Sequence, residues 1–482
     1  MKFPLLSKAV ALAGVVLGLL WSLWSVQSIV QERQARQNEA ERSVASSLAG
    51  TQTLLGPVLS RACTETWVSG HTAAPESRPI MDSKTRIARL QADQIKVDAK
   101  ALMTPRYRGM FKVNGYAMTS AITAQWPDVA ALMLPSEHPD GKVSCEAPRL
   151  ALALSDARGI RVAELRVNAQ AAPIQPGSGM DTYPRGFQST LDGGLWPTSG
   201  PLVVKLDLEL AGTQTLSIAP VANTTLVSLD ADWPHPSFGG RFLPSERHVT
   251  GHGFDATWKV TSLASTAQQE WLKDSPLCPV LANGEQQNYA VRPGATPGEA
   301  PTQSGCVESF GVDFMDPVNA YVLSDRATKY GLLFIVLTFV GVGLVEVLKQ
   351  LRVHPVQYLL VGAALSVFFF LLVSLSEHMA FAHAYAAASL ACTCLLTFYG
   401  SFVLQGWRAG AMFGAGIAGL FGTLYALLQM EQTALVLGSV LLFIVIAVVM
   451  VSTRKLDWYD LMRQMRGEEA TPDSPELVPP LG

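Results

Sequence analysis

VQYLLVGAALSVFFFLLVSLSEHMAFAHAYAAASLACTCLLTFYGSFVL, residues Val356 to Leu404, holds two long apolar runs parted by a short polar turn, Ser376, Glu377 and His378. Each run, Val356 to Leu375 and Ala380 to Leu404, is long enough to cross a hydrocarbon core of about 30 Å at about 1.5 Å per residue. A turn this short between two such runs predicts an antiparallel pair of membrane-spanning helices, because only structures that satisfy their backbone internally persist in lipid. Working outward, Tyr330 to Val347, Ala409 to Leu428 and Ala434 to Val451 have the same character. Gly331 to Val451 contains six Asp, Glu, Lys or Arg, so five C-terminal spans are expected.

The N-terminus carries Lys2 and Lys8 before an uncharged run from Ala9 to Val26. A charged start and an apolar middle also describe a cleaved secretory signal. However, Val26-Gln27-Ser28 is a poor cleavage site and the run is long enough to span, so a retained anchor is expected. Lys349, Arg352, Arg408, Arg454, Lys455, Arg463 and Arg466 occupy alternate loops, while Ser376 to His378 and Gln429 to Thr433 hold no Lys or Arg. The excess of cations on one side predicts both termini in the cytoplasm and the long segment after the first helix outside.

That long segment changes period. From Gln27 to Gly50, Ile29, Ala40, Val44 and Leu48 follow a helical face and Glu32 pairs with Arg36 at i,i+4, which predicts a helical stalk. Beyond it, LVVKLDLEL (Leu202–Leu210) and GFDATWKV (Gly253–Val260) alternate apolar and polar residues, as half-buried strands do. RLALAL, TLVSLDADW and several Gly and Asn-Gly breaks extend the pattern toward a mainly antiparallel sandwich. Asn283 to Ser304, rich in Gly, Pro and Gln, reads as an exposed insertion, and the tail after Gly467 as disordered.

The fold class expected is therefore α+β, a membrane protein with an N-terminal transmembrane helix, a large mainly antiparallel β domain and a C-terminal bundle of five transmembrane helices. Its parts are a transmembrane anchor (1–26), a helical stalk (27–50), a β-rich domain (51–329), the bundle (330–453) and a cytoplasmic tail (454–482).

Candidate sites are few. A net charge of -3 with no basic stripe gives no reason to expect nucleic acid. No phosphate-binding loop, dinucleotide fingerprint, nucleophile elbow or zinc-protease helix is present. HVTGH spaces His248 and His252 four apart, but on strand ends around a Gly turn that spacing is too long for one metal, so no metal or cofactor is expected. Cys392 and Cys394 point about 200° apart on a helix and read as small apolar filling. Cys63, Cys145, Cys278 and Cys306 fall in the outer segment and imply two disulfides. Three pairings are open; Cys278 with Cys306, bracketing the insertion, and Cys63 with Cys145 are expected. Gly410, Gly414, Ala418 and Gly422 recur every four residues, a stripe on which a second helix can approach closely. Glu377, His378, His383 and Glu431 are expected to gather at the outer face of the bundle as a polar clasp between its two outer hairpins.

KYGLLFIVLTF, VHPVQYLLVGAAL, LLVSLSEHMAF, LYALLQMEQTALVLGSVLLF and STRKLDWYDL together resemble the CreD family of bacterial inner-membrane proteins. GPVL, RFLPSERHVTGHGFDATWKV and GVDFMDPVNAYVLSDRATKYG in the outer segment resemble it as well, whereas Asp274 to Ser309 looks like an expansion. The resemblance implies an inner-membrane protein with a periplasmic β domain, associated with envelope integrity, envelope stress, colicin tolerance and a two-component regulatory system. It brings no catalytic residue. A non-enzymatic scaffold contacting the lipid bilayer and other envelope proteins is the first expectation, a transporter or lipid-handling protein the second, and a membrane-embedded enzyme resting on Glu377, His378, His383 and Glu431 the third.

Overall fold

In the computed structural model, residues 4–71, 79–197, 200–278, 305–316, 320–349, 353–430 and 434–454 are described. The insertion Asn283 to Ser304, the tail after Gly467 and Glu431 lie outside them. The chain divides into two compact units, residues 1–36 with 318–482, and residues 37–317.

The second unit is a β sandwich. Its nine-stranded sheet runs Gln175–Pro176, Gly186–Thr190, Arg149–Leu154, Gln52–His71, Thr215–Ala219, Phe310–Phe314 and Pro236–Gly240, with Pro79–Leu90 and Lys142–Cys145 also paired to Gln52–His71. The eight-stranded sheet runs Gln170–Ala171, Ile160–Val167, Leu202–Thr213, Gly115–Trp126, Gln94–Met103, Thr224–Ala231, Phe254–Thr261 and Glu246–Val249. The pairing is antiparallel except between Gln52–His71 and Thr215–Ala219 and between Thr224–Ala231 and Gln94–Met103. Alternation is what sorts the side chains. Val204, Leu206, Leu208 and Leu210 turn into the core with Ile122, Val97 and Trp258, while Lys205, Asp207 and Glu209 stay exposed. Leu55, Leu59, Leu152, Phe187 and Phe310 of the other sheet complete the same core.

The anchor and the stalk are one helix, α1 (Pro4–Ser47). Its end is held within the second unit. Arg158 donates to the carbonyls of Ser46 and, at 3.3 Å, Ala45, two acceptors that a helix C-terminus leaves unsatisfied. Asp156 receives the Gly50 N–H at 3.0 Å and pairs with Arg158 at 2.6 Å. The Arg158 guanidinium is the main reason the Asp156 carboxyl is held down to about 2, with the two backbone N–H groups adding to it against the opposing effect of burial.

A short helix, α2 (Ala267–Leu272), and then the strand Phe310–Phe314 precede α3 (Ala320–Lys349), α4 (Pro355–Ser376), α5 (Phe381–Val403), α6 (Trp407–Gln429) and α7 (Ala434–Thr453). Helix α3 begins ten residues before the boundary that hydropathy suggests. Asp325 and Lys329 pair at 2.6 Å one turn apart, and Leu323, Ser324, Ala327 and Thr328 are buried. Charge therefore ends the apolar run earlier than it ends the helix. Six helices among the described residues are long and apolar enough to cross a membrane. In the membrane unit, Phe334, Phe368, Phe369, Tyr385 and Phe421 form an aromatic centre, with Phe368 and Phe421 centroids 4.5 Å apart. Helix α1 belongs to this core through Leu19, Leu23, Val26 and Val30. A Cβ on Gly362 would lie 2.2 Å from Leu19, and one on Gly331 2.9 Å from Leu23, so glycines on α4 and α3 admit the leucines of α1.

Candidate functional site

Glu377 caps the C-terminus of α4 and is largely buried, with 12% of its side chain exposed. Its partner is Arg33 of α1, whose Nε lies 3.1 Å from Oε1. Arg33 continues the register Leu19, Leu23, Val26, Val30 at alternating steps of four and three. That places the guanidinium on the face α1 presents to the bundle, one turn beyond Val30. His378 lies in the turn between α4 and α5 and is exposed. His383 opens α5, its backbone N–H donating to Ala380 at 2.9 Å, and its ring is exposed with no hydrogen-bond partner among the described residues. Glu431 lies outside the described residues. The candidate quartet is thus described for three members, and the ion pair that one of them, Glu377, makes is with α1, which sequence reasoning missed. The signal was the continued heptad-like spacing through a charged residue.

Neutralising either member alone strands the other at a partly buried position. Arg33→Gln and Glu377→Gln are each expected to lower the stability of the detergent-solubilised protein, and the double variant to cost less than their sum, with a coupling of about 1 kcal/mol. Full additivity in a thermal-unfolding double-mutant cycle would remove the pair from the account.

At the other end of the α3–α4 hairpin Glu346 accepts from the Tyr358 hydroxyl at 2.7 Å and from the Val353 N–H at 3.3 Å. His354 caps α4, taking the Val356 N–H on Nδ1 at 3.3 Å. These contacts tie a loop to two helix ends.

The glycine row on α6 divides in two. A Cβ on Gly410 would stand 2.6 Å from the Ser401 Cα, and one on Gly414 would be 1.9 Å from Thr397 Oγ1, both on α5. Ala418 and Gly422 are exposed, and nothing stands within 4 Å of a Cβ on Gly422. Steps of four drift by about 40° each on a helix, so the row winds off the α5 contact along its length. Gly410→Leu is expected to lower stability by roughly 1 to 3 kcal/mol by forcing the α5 backbone away, and Gly422→Leu to leave it unchanged. Thermal unfolding in detergent would show the difference; the reverse order would contradict it.

In the β unit, Cys63 is bonded to Cys145 and Cys278 to Cys306. Cys392 is buried and Cys394 exposed. Cys63, Glu65 and Trp67 alternate along one strand and share a face. Glu65, 1% exposed at its side chain, accepts on Oε1 from Ser136 Oγ at 2.8 Å and from the N–H groups of Glu137 and His138, each at 2.9 Å. His138 Nδ1 lies 3.3 Å from the same oxygen, and Arg86 Nη2 lies 3.3 Å from Oε2. Burial raises the Glu65 pKa, but the hydrogen bonds from His138, Ser136 and Glu137 outweigh it and hold the carboxyl at about 2. Gly141 closes the cage, for a Cβ there would lie 2.2 Å from Oε1. Trp67 stacks on the His138 ring with centroids 3.9 Å apart. The arrangement pins residues 135–141 to the sheet. HVTGH runs from the end of the strand Glu246–Val249, which holds His248, into the turn that holds His252, where Thr250 Oγ1 accepts from the His252 N–H at 3.3 Å. Among the described residues no three His, Cys, Asp or Glu side chains are placed to hold a metal.

A 31% identity over 476 residues, 98% of both chains, relates this chain to the inner membrane protein CreD of Escherichia coli (strain K12). Among solved structures, the M1 zinc metallopeptidase of Deinococcus radiodurans bound to Tyr-ser-ala aligns at 12% identity and TM-score 0.21, over 35% of this chain and 38% of that one. The same peptidase in another crystal structure gives 13% identity and TM-score 0.19 over 35% and 38%. The chain spans little more than a third of the peptidase, and so slight a likeness carries no argument. The family profile described as Inner membrane protein CreD matches residues 4–459. With that match across nearly the whole length, the chain belongs to the CreD family of inner membrane proteins.

Proposed function

We infer that the protein maintains cell-envelope integrity as a non-enzymatic scaffold, with its β domain in the periplasm and both termini in the cytoplasm. The observation that carries this reading is the disulfide-stapled sandwich of residues 37–317 in a chain whose other unit is built of membrane-crossing helices. Disulfides persist in oxidising compartments, which for an inner membrane protein is the periplasmic side. The excess of Arg and Lys in alternate loops of the bundle supports the same orientation. A large two-sheet surface fixed to the membrane suits the recruitment of other envelope proteins, and colicin tolerance and envelope stress would follow from the state of those contacts.

Two measurements test it. Alkaline phosphatase fused after Leu461 should be inactive and a fluorescent protein at the same place bright; an active phosphatase overturns the orientation. Photo-crosslinking in living cells from exposed positions of the sandwich should capture discrete envelope proteins, and loss of those adducts should accompany loss of envelope integrity. If integrity instead depends on Glu377, His378 or His383 in variants that remain stable and abundant, an enzymatic or transport role replaces the scaffold.

A further inference from the structure

The strands Gln94–Met103 and Gly115–Trp126 continue past the end of their sheet into a small hairpin, Arg106–Arg108 paired with Phe111–Val113. Gly109 supplies the turn with φ +61°. A hairpin tip in water ordinarily carries Asn, Asp and Gly. This one reads RYRGMFK, with Tyr107 67% and Met110 47% exposed and Arg106, Arg108 and Lys112 exposed beside them. No Asp or Glu occurs between Thr104 and Tyr116.

The root of the hairpin lies where the chain enters and leaves the β unit. Asn114 donates through Nδ2 to the Phe314 carbonyl at 3.0 Å and receives the Gln214 N–H on its own carbonyl at 2.9 Å. Gln214 in turn donates to Glu41 of α1 at 2.9 Å, and Lys112 pairs with Asp316 at 3.6 Å. Asp316 is four residues before α3, a separation that a chain can stretch to no more than about 14 Å. Both covalent routes to the membrane therefore start beside this hairpin.

We propose that the Arg106–Val113 hairpin docks on the bilayer surface, the guanidinium groups of Arg106 and Arg108 on anionic phospholipid headgroups and Tyr107 and Met110 in the acyl boundary beneath. The chemistry is that of interfacial segments, in which basic side chains meet phosphates while an aromatic ring and a flexible apolar side chain enter the boundary. The docking extends the contact that the membrane-crossing helices already make with lipid and holds on whichever side of the membrane the β unit lies.

The test uses the full chain in nanodiscs of phosphatidylcholine with or without phosphatidylglycerol. A nitroxide is attached at Met110→Cys, or at Leu263→Cys as the control, in a background lacking Cys392 and Cys394. Leu263 is 98% exposed and follows the end of the sheet opposite the hairpin. With phosphatidylglycerol present, the Met110 label should be roughly threefold less accessible to an aqueous nickel chelate than the Leu263 label, and correspondingly more accessible to oxygen. Arg106→Glu with Arg108→Glu should restore nickel access at Met110 without changing hydrogen exchange in the sandwich. A Met110 label as open to nickel as the control in both lipids overturns the proposal. So does one equally protected in lipid-free amphipol, which would mean that protein covers the tip.

Discussion

Replacing Cys63 and Cys145 together by alanine is expected to lower the stability of the β unit by about 4.5 kcal/mol, against about 3.6 kcal/mol for Cys278 and Cys306. The difference comes from the chain each bond closes, 82 residues in the first and 28 in the second. The longer loop gives the reduced, unfolded chain more freedom to lose on folding. For a domain of this size the first pair should shift the thermal midpoint by roughly 10 °C. Intrinsic fluorescence melts of the two double variants in the same detergent check both the size and the order. Equal shifts would mean that loop length does not govern the contribution, and no shift for Cys63 and Cys145 would mean that neighbouring contacts suffice to hold the strands.

Glu65→Gln should release residues 135–141 at neutral pH while the sandwich core stays folded. The substitution keeps the shape and removes the charge on which two backbone N–H groups, Ser136 Oγ and Arg86 converge. Amide exchange in that segment should rise on the order of tenfold or more. The wild-type protein should show the same release on acidification. The folded carboxyl, at about 2, lies below its ordinary value of 4.5, so its contribution is present above about 4.5 and is lost as pH falls toward 2. The Gln variant should lack that pH step. A step of equal size in both proteins would assign it to Asp156, held down to about 2 by Arg158, or to another group.

Much of this architecture is legible without coordinates because two periods carry it. Alternation at Val204, Leu206 and Leu208 places those side chains in the core, and apolar length marks the spans. Helix α3 starts before the apolar run does because hydropathy reports what a helix faces, whereas α3 continues as a helix through Asp325 and Lys329. Sheet order was not legible. The parallel pairing of Gln52–His71 with Thr215–Ala219 joins residues more than 150 positions apart, and no local pattern encodes it. The Glu65 cage was missed for a related reason. Glu65 follows the alternation as though it were an apolar residue, and its partners come from residues 86 and 136–138. Arg33 was within reach, since it falls in step with Leu19, Leu23, Val26 and Val30. Its partner Glu377 could be named only once the helices were placed.

The pairing of Arg33 with Glu377 also sets an order of events during synthesis. Arg33 is made first, and 344 residues must be polymerised before Glu377 exists. At bacterial rates of roughly 5 to 20 residues per second this interval is about 20 to 70 s. Throughout that time the guanidinium is without the Glu377 carboxylate that pairs with it in the folded chain. Helix α1 therefore waits for α4 before its arginine gains this carboxylate. Closure of this contact is then a late event of translation, and the time α1 spends waiting is written into the length of the domain between them.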